Sequence, residues 1–428
     1  MIVSKVLIKI WRRIKNKILE FEYFSNLDKK MLFLRMKKQH EMLIEKMKGK
    51  KRVRVVFLVI HNSVWKVDTV FQKMLNDDFF DPVILVCPYT VYGESLMWKD
   101  MQECLQYFNE KGYPTYSSFN YSEQCWVKLD ELSPDIVFFT NPHDLTRKEY
   151  YEDAYLNYLS CYVPYAHDVS KYKKYVEQYN QPFHNSMWKI FVPHHDDLNI
   201  YRFYSQRNGF NVIVTGYPSC EVFFEEKEKS PWKPQSKMKI KVIWAPHHTI
   251  NDPILPYSNF LRLSDFFKNL SYEFKEKVQF AFKPHPALKA KLLTHPNWGA
   301  EKTNDYYSYW EKSENTQLEE GDYINLFKWS DCMIHDSGSF LAEYHYVKKP
   351  VFYIGDENIE KYLNPFGIEA LSSCILGKDE SAIRHFLEKM VLNEINPKLN
   401  FFNEKLKPFF IEKTPSKLII ADIKKDIF

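Results

Sequence analysis

Glycine is scarce in this chain, eleven residues in 428, which excludes collagen-like and flexible-linker architectures and argues against simple repeats. Cysteine is sparse and unpaired in pattern: seven residues, an odd number, scattered from Cys87 to Cys374 with no CxxC. That excludes a disulfide framework and a cysteine zinc site, and it fits a reducing compartment. No apolar run approaches the roughly 18 residues needed to cross a bilayer. Also missing are GxGxxG, a phosphate-binding GxxxxGK[ST] loop and HExxH, so dinucleotide, ATPase and zincin readings have no motif to rest on.

What is abundant is aromatic side chain, 17% of the chain with 29 Tyr and 33 Phe, in a length that suits two domains of ordinary size. The net charge of +4 conceals an asymmetry: residues 1–52 hold sixteen Lys or Arg against five acids, a net of +11, so the remainder carries −7. A mildly acidic body predicts no nucleic-acid partner. The basic excess is an N-terminal appendage. Lys5, Lys9, Arg12, Arg13, Lys15 and Lys17 break up any apolar core of the kind a secretory signal needs. Ile2, Val6, Ile10, Ile14 and Ile18 instead recur every four residues, which predicts a basic amphipathic helix. Such a helix suits an anionic cytoplasmic leaflet, here through residues 1–20; the alternative is packing on the body or on a second subunit. A charged helical stretch, Leu27 to Met47, follows and reads as standing apart from the core.

From Val53 the texture alternates between apolar, β-branched runs and amphipathic stretches. Strands are predicted at Val53–Ile60, Pro82–Cys87, near Thr115 and at Asp135–Thr140, with helices at Val67–Leu75, Ser95–Lys111 and Glu123–Leu132. A polar link, Glu225–Lys237, precedes a second series. Its strands fall at Lys239–Ala245, Val278–Lys283, Asp331–His335 and Pro350–Ile354, with helices near Asn259–Leu270, Asp322–Trp329 and Gly338–Val347. Alternation of this kind predicts doubly wound parallel sheets buried on both faces. The division is residues 1–52 as helical extension, 53–230 as first lobe and 231–428 as second lobe.

Ligands of such sheets bind beyond the carboxyl ends of the strands. In the second lobe three strands end in polar groups. The first is Trp244-Ala245-Pro246-His247-His248-Thr249. The second is Lys283-Pro284-His285-Pro286, where two prolines fix the backbone around the histidine. The third is His335-Asp336-Ser337-Gly338-Ser339, a turn entering a helix, whose free amides and hydroxyls suit a phosphate. Each also has a bland reading: a surface turn, a structural histidine, and a helix cap by Asp336 or Ser337.

These groups, with Thr215-Gly216-Tyr217-Pro218 and the block from Asp322 through His335–Ser339 to Lys349-Pro350, resemble the CDP-glycerol glycerophosphotransferase family of teichoic acid and capsule polyol-phosphate transferases. The resemblance spans roughly residues 53–395. It implies a GT-B-like α/β fold, two Rossmann-like doubly wound lobes facing a central cleft, with the CDP moiety held by the C-terminal lobe. It implies His247, His248, Thr249, Lys283, His335, Asp336, Ser337, Gly338 and Ser339 as donor-binding residues, with His285 acting on the donor phosphate. Polymerising members usually carry Trp-His-Gly-Thr in the first lobe, whose histidine is taken as the base. The corresponding stretch here is Val163-Pro164-Tyr165-Ala166-His167-Asp168, so His167 is the expected base and His184 its rival.

The expected reaction moves a phospho-polyol, glycerol phosphate first, from a CDP-linked donor to a hydroxyl of a glycan or lipid-linked glycan, releasing CMP. No metal or other cofactor is expected beyond the CDP-polyol donor. The expected location is the cytoplasmic face of a bacterial plasma membrane, with homo-oligomerisation left open. Two alternatives stand beside it: a GT-B glycosyltransferase using a nucleotide sugar, and a non-catalytic scaffold of a glycan-assembly complex.

Overall fold

A computed structural model describes residues 2–172, 175–321 and 323–427, with side chains from Ser25 onward. The chain forms two compact units: residues 1–165, 173–218 and 414–428 make the first, residues 166–172 and 219–413 the second.

The first unit is built on a seven-stranded sheet. Its strands are β1 (Val53–Val59), β2 (Phe80–Val86), β3 (Thr115–Ser117), β6 (Ile136–Phe139), β7 (Leu159–Tyr162), β8 (Lys189–Val192) and β9 (Val212–Val214), in the order β3-β2-β1-β6-β7-β8-β9. All neighbouring pairs are parallel. Valine and isoleucine dominate β1 and β2 because both faces of the sheet are covered, and Val55, Val56, Phe57 and Val59 are wholly buried.

β4 (Phe119–Asn120) and β5 (Cys125–Trp126) form a small antiparallel hairpin beside this sheet. The sequence predicts a helix over Glu123–Leu132; the structure replaces it with β5 and a 3-10 turn at Leu129–Leu132. The reason is local packing. Trp126 joins Trp98 and Phe119 in an aromatic cluster, and the Tyr150 hydroxyl donates to the Val127 carbonyl, which holds the segment extended.

The second unit has six parallel strands: β10 (Ile240–Ala245), β11 (Val278–Phe282), β12 (Thr316–Leu318), β13 (Cys332–His335), β14 (Val351–Ile354) and β15 (Ile375–Gly377). Their order, β12-β11-β10-β13-β14-β15, reverses direction between β10 and β13. The first sheet reverses likewise between β1 and β6. Crevices at such reversals are where doubly wound sheets bind ligands. Trp244, Phe267, Phe282 and Trp310 stack under β10 and β11, which fixes the floor beneath the strand ends.

Two boundaries differ from the sequence division. Residues 166–172 leave the first lobe for the second unit, because Asn364 and Lys171 lace them to the segment at 362–364. The Asn364 amide donates to the Val169 carbonyl at 2.9 Å, and the Lys171 amide to the Tyr362 carbonyl at 2.8 Å. Gly367 is required there, since a Cβ would lie 2.4 Å from the Val169 carbonyl oxygen. At the other end, the terminal helix Pro415–Ile427 returns to the first unit. Its Asp422 and Asp426 pair with Lys189, and Lys424 pairs with Asp77.

The N-terminal helix runs from Ile2 to Met47. Its described part does not stand apart from the core. Met36, His40 and Met47 are buried on one helical face, and the Arg207 guanidinium lies 4.6 Å over the Phe33 ring. The amphipathic side chains of residues 1–20 lie outside the described residues, as does Asp322. No described helix is long and apolar enough to cross a membrane.

Candidate donor site

The second unit brings the predicted groups at the ends of β10, β11 and β13 together. The His248 and His285 rings have centroids 4.0 Å apart, and His247 lies 4.4 Å from His248 and 5.2 Å from His285. Burial and neighbouring positive charge hold all three imidazoles neutral, with pKa lowered to about 2 for His247, about 4 for His248 and about 3 for His285.

A backbone hydrogen bond fixes the tautomer of His285. His285 caps the helix Pro286–Thr294, its Nδ1 accepting from the Ala287 amide at 3.1 Å. A neutral imidazole that accepts at Nδ1 carries its proton on Nε2. His285 therefore presents an N–H donor, and the prolines flanking it keep it aimed. His247 Nδ1 shares a 2.9 Å bond with the Thr249 hydroxyl. The ligand atoms of His247, His248 and His285 lie within 4.8 Å of one another, the spacing of a metal site. With Nε2 of His285 protonated, that residue suits an oxyanion better than a cation.

Asp336 organises the cluster from below. Its carboxylate is 1% exposed and accepts from the His247 amide at 2.6 Å, the Asn259 amide at 2.5 Å and the Asn259 side chain at 3.2 Å. Burial raises its pKa to about 6, against the lowering effect of those donors. Both oxygens are thus spent on protein, so Asp336 positions the His247 loop. His335 is also turned inward. It is fully buried, its Nδ1 accepts from the Ser337 amide, and its ring meets Tyr353 edge-on at 5.2 Å.

Ser337 is nearly buried and Ser339 half-exposed at the turn. Gly338 has Tyr257 and Val169 within van der Waals distance of where a Cβ would stand. The helix expected over Gly338–Val347 is shorter: an α-turn at Phe340–Glu343 tightens to 3-10 at Tyr344–Val347, so its dipole is smaller than the sequence suggested. Lys283 is buried, and its ammonium donates to the Gly321 carbonyl at 2.9 Å. Lys349 likewise serves the fold: it donates to the carbonyls of Phe327, Lys328 and Ser330 and caps the helix Ile324–Trp329.

The two proposed bases sit elsewhere. His184 is buried in the first unit, caps the helix Pro182–Ser186 and accepts from the Gln181 amide at Nδ1. His167 belongs to the second unit rather than the first, packed against Phe366 and Tyr346 and 2% exposed. Its Nε2 lies 3.4 Å from the Tyr346 hydroxyl. Burial lowers both to about 3.

The sequence reading missed three contributors. Lys291 is exposed on the helix that His285 caps and acts electrostatically on all three imidazoles; only its place on the same helix could have signalled it. Asn259 bridges Asp336 to the Ile354 carbonyl. Tyr257 meets the His247 ring edge-on and bonds the Ser170 hydroxyl at 2.8 Å. Neither carries a motif, because each acts through the fold.

Comparison with solved structures confirms the architecture. The wall teichoic acid polymerase TagF superposes with a TM-score of 0.56 at 14% identity, covering 96% of this chain and 98% of that one. UDP-GlcNAc 2-epimerase from Neisseria meningitidis gives 0.55 at 15% identity, over 87% of this chain and all of the other. The S. aureus MnaA–UDP complex gives 0.53 at 14%, over 88% and 96%. No curated protein sequence matches the chain. A sequence-family profile does, over residues 130–365, a span that begins before β6 and takes in His167, His184, His247, His248, His285 and His335. Since it covers more than half of the 428 residues, the chain belongs to the CDP-glycerol:poly(glycerophosphate) glycerophosphotransferase family.

Proposed function

We propose that this enzyme transfers glycerol phosphate from CDP-glycerol to a hydroxyl of a teichoic-acid-type surface glycan, releasing CMP. The observation that carries the reading is the cluster of three neutral imidazoles at the carboxyl ends of β10 and β11, beside the reversal of the second sheet and inside the family span. The acceptor oxygen bonds to the β-phosphorus as that phosphorus loses its bond to the bridging oxygen, which departs with CMP. Such a transfer calls on the protein for positioning and charge stabilisation.

His285 is assigned the hydrogen bond from Nε2 to a phosphoryl oxygen. The Lys291 ammonium supplies nearby positive charge and the half-exposed Ser339 hydroxyl a second donor. Asp336 and Thr249 hold His247 and its loop in place. Burial weighs against His167 and His184 as the base. We assign the acceptor proton to His248, the half-buried imidazole whose ring lies 4.0 Å from that of His285 at the strand ends. The reaction so drawn needs no cofactor beyond its donor. Residues 1–20 are proposed to rest on an anionic cytoplasmic leaflet, where a lipid-linked acceptor would be presented.

The test is to incubate the full chain with CDP-glycerol, CDP-ribitol and UDP-sugars and to measure the nucleotide released. CMP from CDP-glycerol is expected. UDP release from a nucleotide sugar, with CDP-glycerol left intact, would move the assignment to an ordinary glycosyltransferase.

A further inference from the structure

The first unit carries a cleft that the donor chemistry leaves unused. It has a volume of about 500 Å3, within the roughly 300–1,000 Å3 of small-molecule sites. Its walls come from three strand ends: Thr90 and the first turns of the helix Glu94–Glu110 follow β2, Phe119 and Trp126 stand on the hairpin after β3, and Arg147 follows β6. That is the ligand-binding edge of a doubly wound sheet.

The lining is aromatic. Trp98 and Trp126 lie parallel with centroids 5.6 Å apart and 8° between planes, and Phe119 meets both edge-on at 4.8 and 5.0 Å. The rim stays apolar in solvent, with Val91 50%, Tyr92 66% and Tyr121 52% exposed. Polar groups stand among the rings: Thr90, Glu94 and Gln124.

Charge decides what fits. Arg147 is the cation of the cleft, and it is already committed. It stacks at 4.7 Å over Trp126, and its Nε and Nη2 reach Glu149 Oε1 at 2.9 and 2.8 Å. With Glu94 added, the cleft has no spare positive charge, so a phosphate or an anionic headgroup is poorly matched. A neutral sugar ring is the better match: its C–H face suits the Trp98 and Phe119 rings, and its hydroxyls can donate to Glu94, to Gln124 Oε1 and to the Thr90 hydroxyl oxygen, the Gln124 and Thr90 donors themselves serving the Tyr121 and Leu145 carbonyls.

We infer that this cleft binds a neutral pyranose unit of the acceptor glycan. The inference builds on the transferase reading given above, and saccharide binding can be tested without turnover.

Ligand-observed NMR on the full chain, with a panel of glucose, galactose, N-acetylglucosamine, N-acetylmannosamine and their β-linked disaccharides, reads binding directly. Saturation transfer to at least one sugar is expected. It should fall about tenfold or more in Trp98→Ala and in Gln124→Ala, the latter altering an exposed side chain whose amide donates to the Tyr121 carbonyl, with an unchanged melting temperature as the check that the hairpin keeps its fold. CMP release from CDP-glycerol to water should be unchanged in both variants, while the acceptor KM rises by a similar factor. Absence of transfer to every panel sugar would overturn the inference, as would transfer that persists in both variants. Loss of binding to neutral vesicles in Trp98→Ala, with sugar binding unchanged, would make the rim a bilayer contact and also overturn it. Sugar binding without any CMP release would leave the cleft assigned and remove the donor reading instead.

Discussion

Replacing Asp336 by Asn tests whether one buried carboxylate holds the histidine loop. The wild-type oxygens serve three donors: the His247 amide, the Asn259 amide and the Asn259 side chain. Asparagine has the same shape but a single acceptor oxygen, so it can satisfy one backbone amide while its NH2 faces the other. An unsatisfied buried donor costs about 1–3 kcal/mol, and a hydrogen bond to a charged group contributes about 1.5–3 kcal/mol. Against this, the substitution relieves the burial of a charge whose pKa sits near 6, a gain of roughly 3 kcal/mol at pH 8. Two charge-assisted bonds lost and one amide orphaned, together about 4–9 kcal/mol, outweigh that gain and leave a net loss on the order of 1–6 kcal/mol. Urea unfolding at pH 8 reads the loss, and the KM for CDP-glycerol should rise about tenfold as His247 loosens. Unaltered stability together with an unaltered KM would refute the tethering role.

Acid should unfold the protein early. His167, His184, His335 and His345 are buried with pKa lowered to about 3, 3, 3 and 4, so the stability tied to their neutral forms is full above pH 6.5 and is lost as pH falls toward those values. Each loses roughly 2 kcal/mol by pH 5. Asp336, shifted the other way, recovers only about 1.5 kcal/mol over the same interval. The histidines win, and a thermal melt at pH 5 should fall far below one at pH 8; equal melting temperatures would contradict the burial described. Deleting residues 1–20 should abolish flotation with anionic vesicles, since each Lys or Arg at such a surface contributes about 1 kcal/mol, while donor hydrolysis continues. A lowered melting temperature with flotation unchanged would mark the segment as a packing element.

Much of this was legible because long apolar strands advertise themselves. VRVVFLV at Val53–Val59 and the KIKVIWA run ending at Ala245 have no other comfortable fate than a strand covered on both sides. The strands that escaped notice are short or carry a polar residue. β8 begins with Lys189, readable as a strand residue only once Asp422 and Asp426 are seen beside it, some 230 residues away in sequence. The histidine cluster was legible too, because strand ends and flanking prolines locate His247, His248 and His285. The roles within it were not. Asp336 and Lys283 look like ligand contacts in sequence, yet the structure spends both on backbone groups. His167 fell to the wrong unit because the lacing that moves residues 166–172 comes from Asn364, far along the chain.

The most direct test of the donor site is CMP release from CDP-glycerol by His285→Asn beside wild type. Asparagine can keep the cap on the Ala287 amide, as good N-cap residues do, so the helix Pro286–Thr294 should stay formed. It removes the Nε2–H proposed to reach the phosphoryl oxygen. The account predicts an unchanged melting temperature and a fall in CMP release of about a hundredfold, the upper range for a hydrogen bond to a charged group. Wild-type CMP release by a folded His285→Asn enzyme would contradict it.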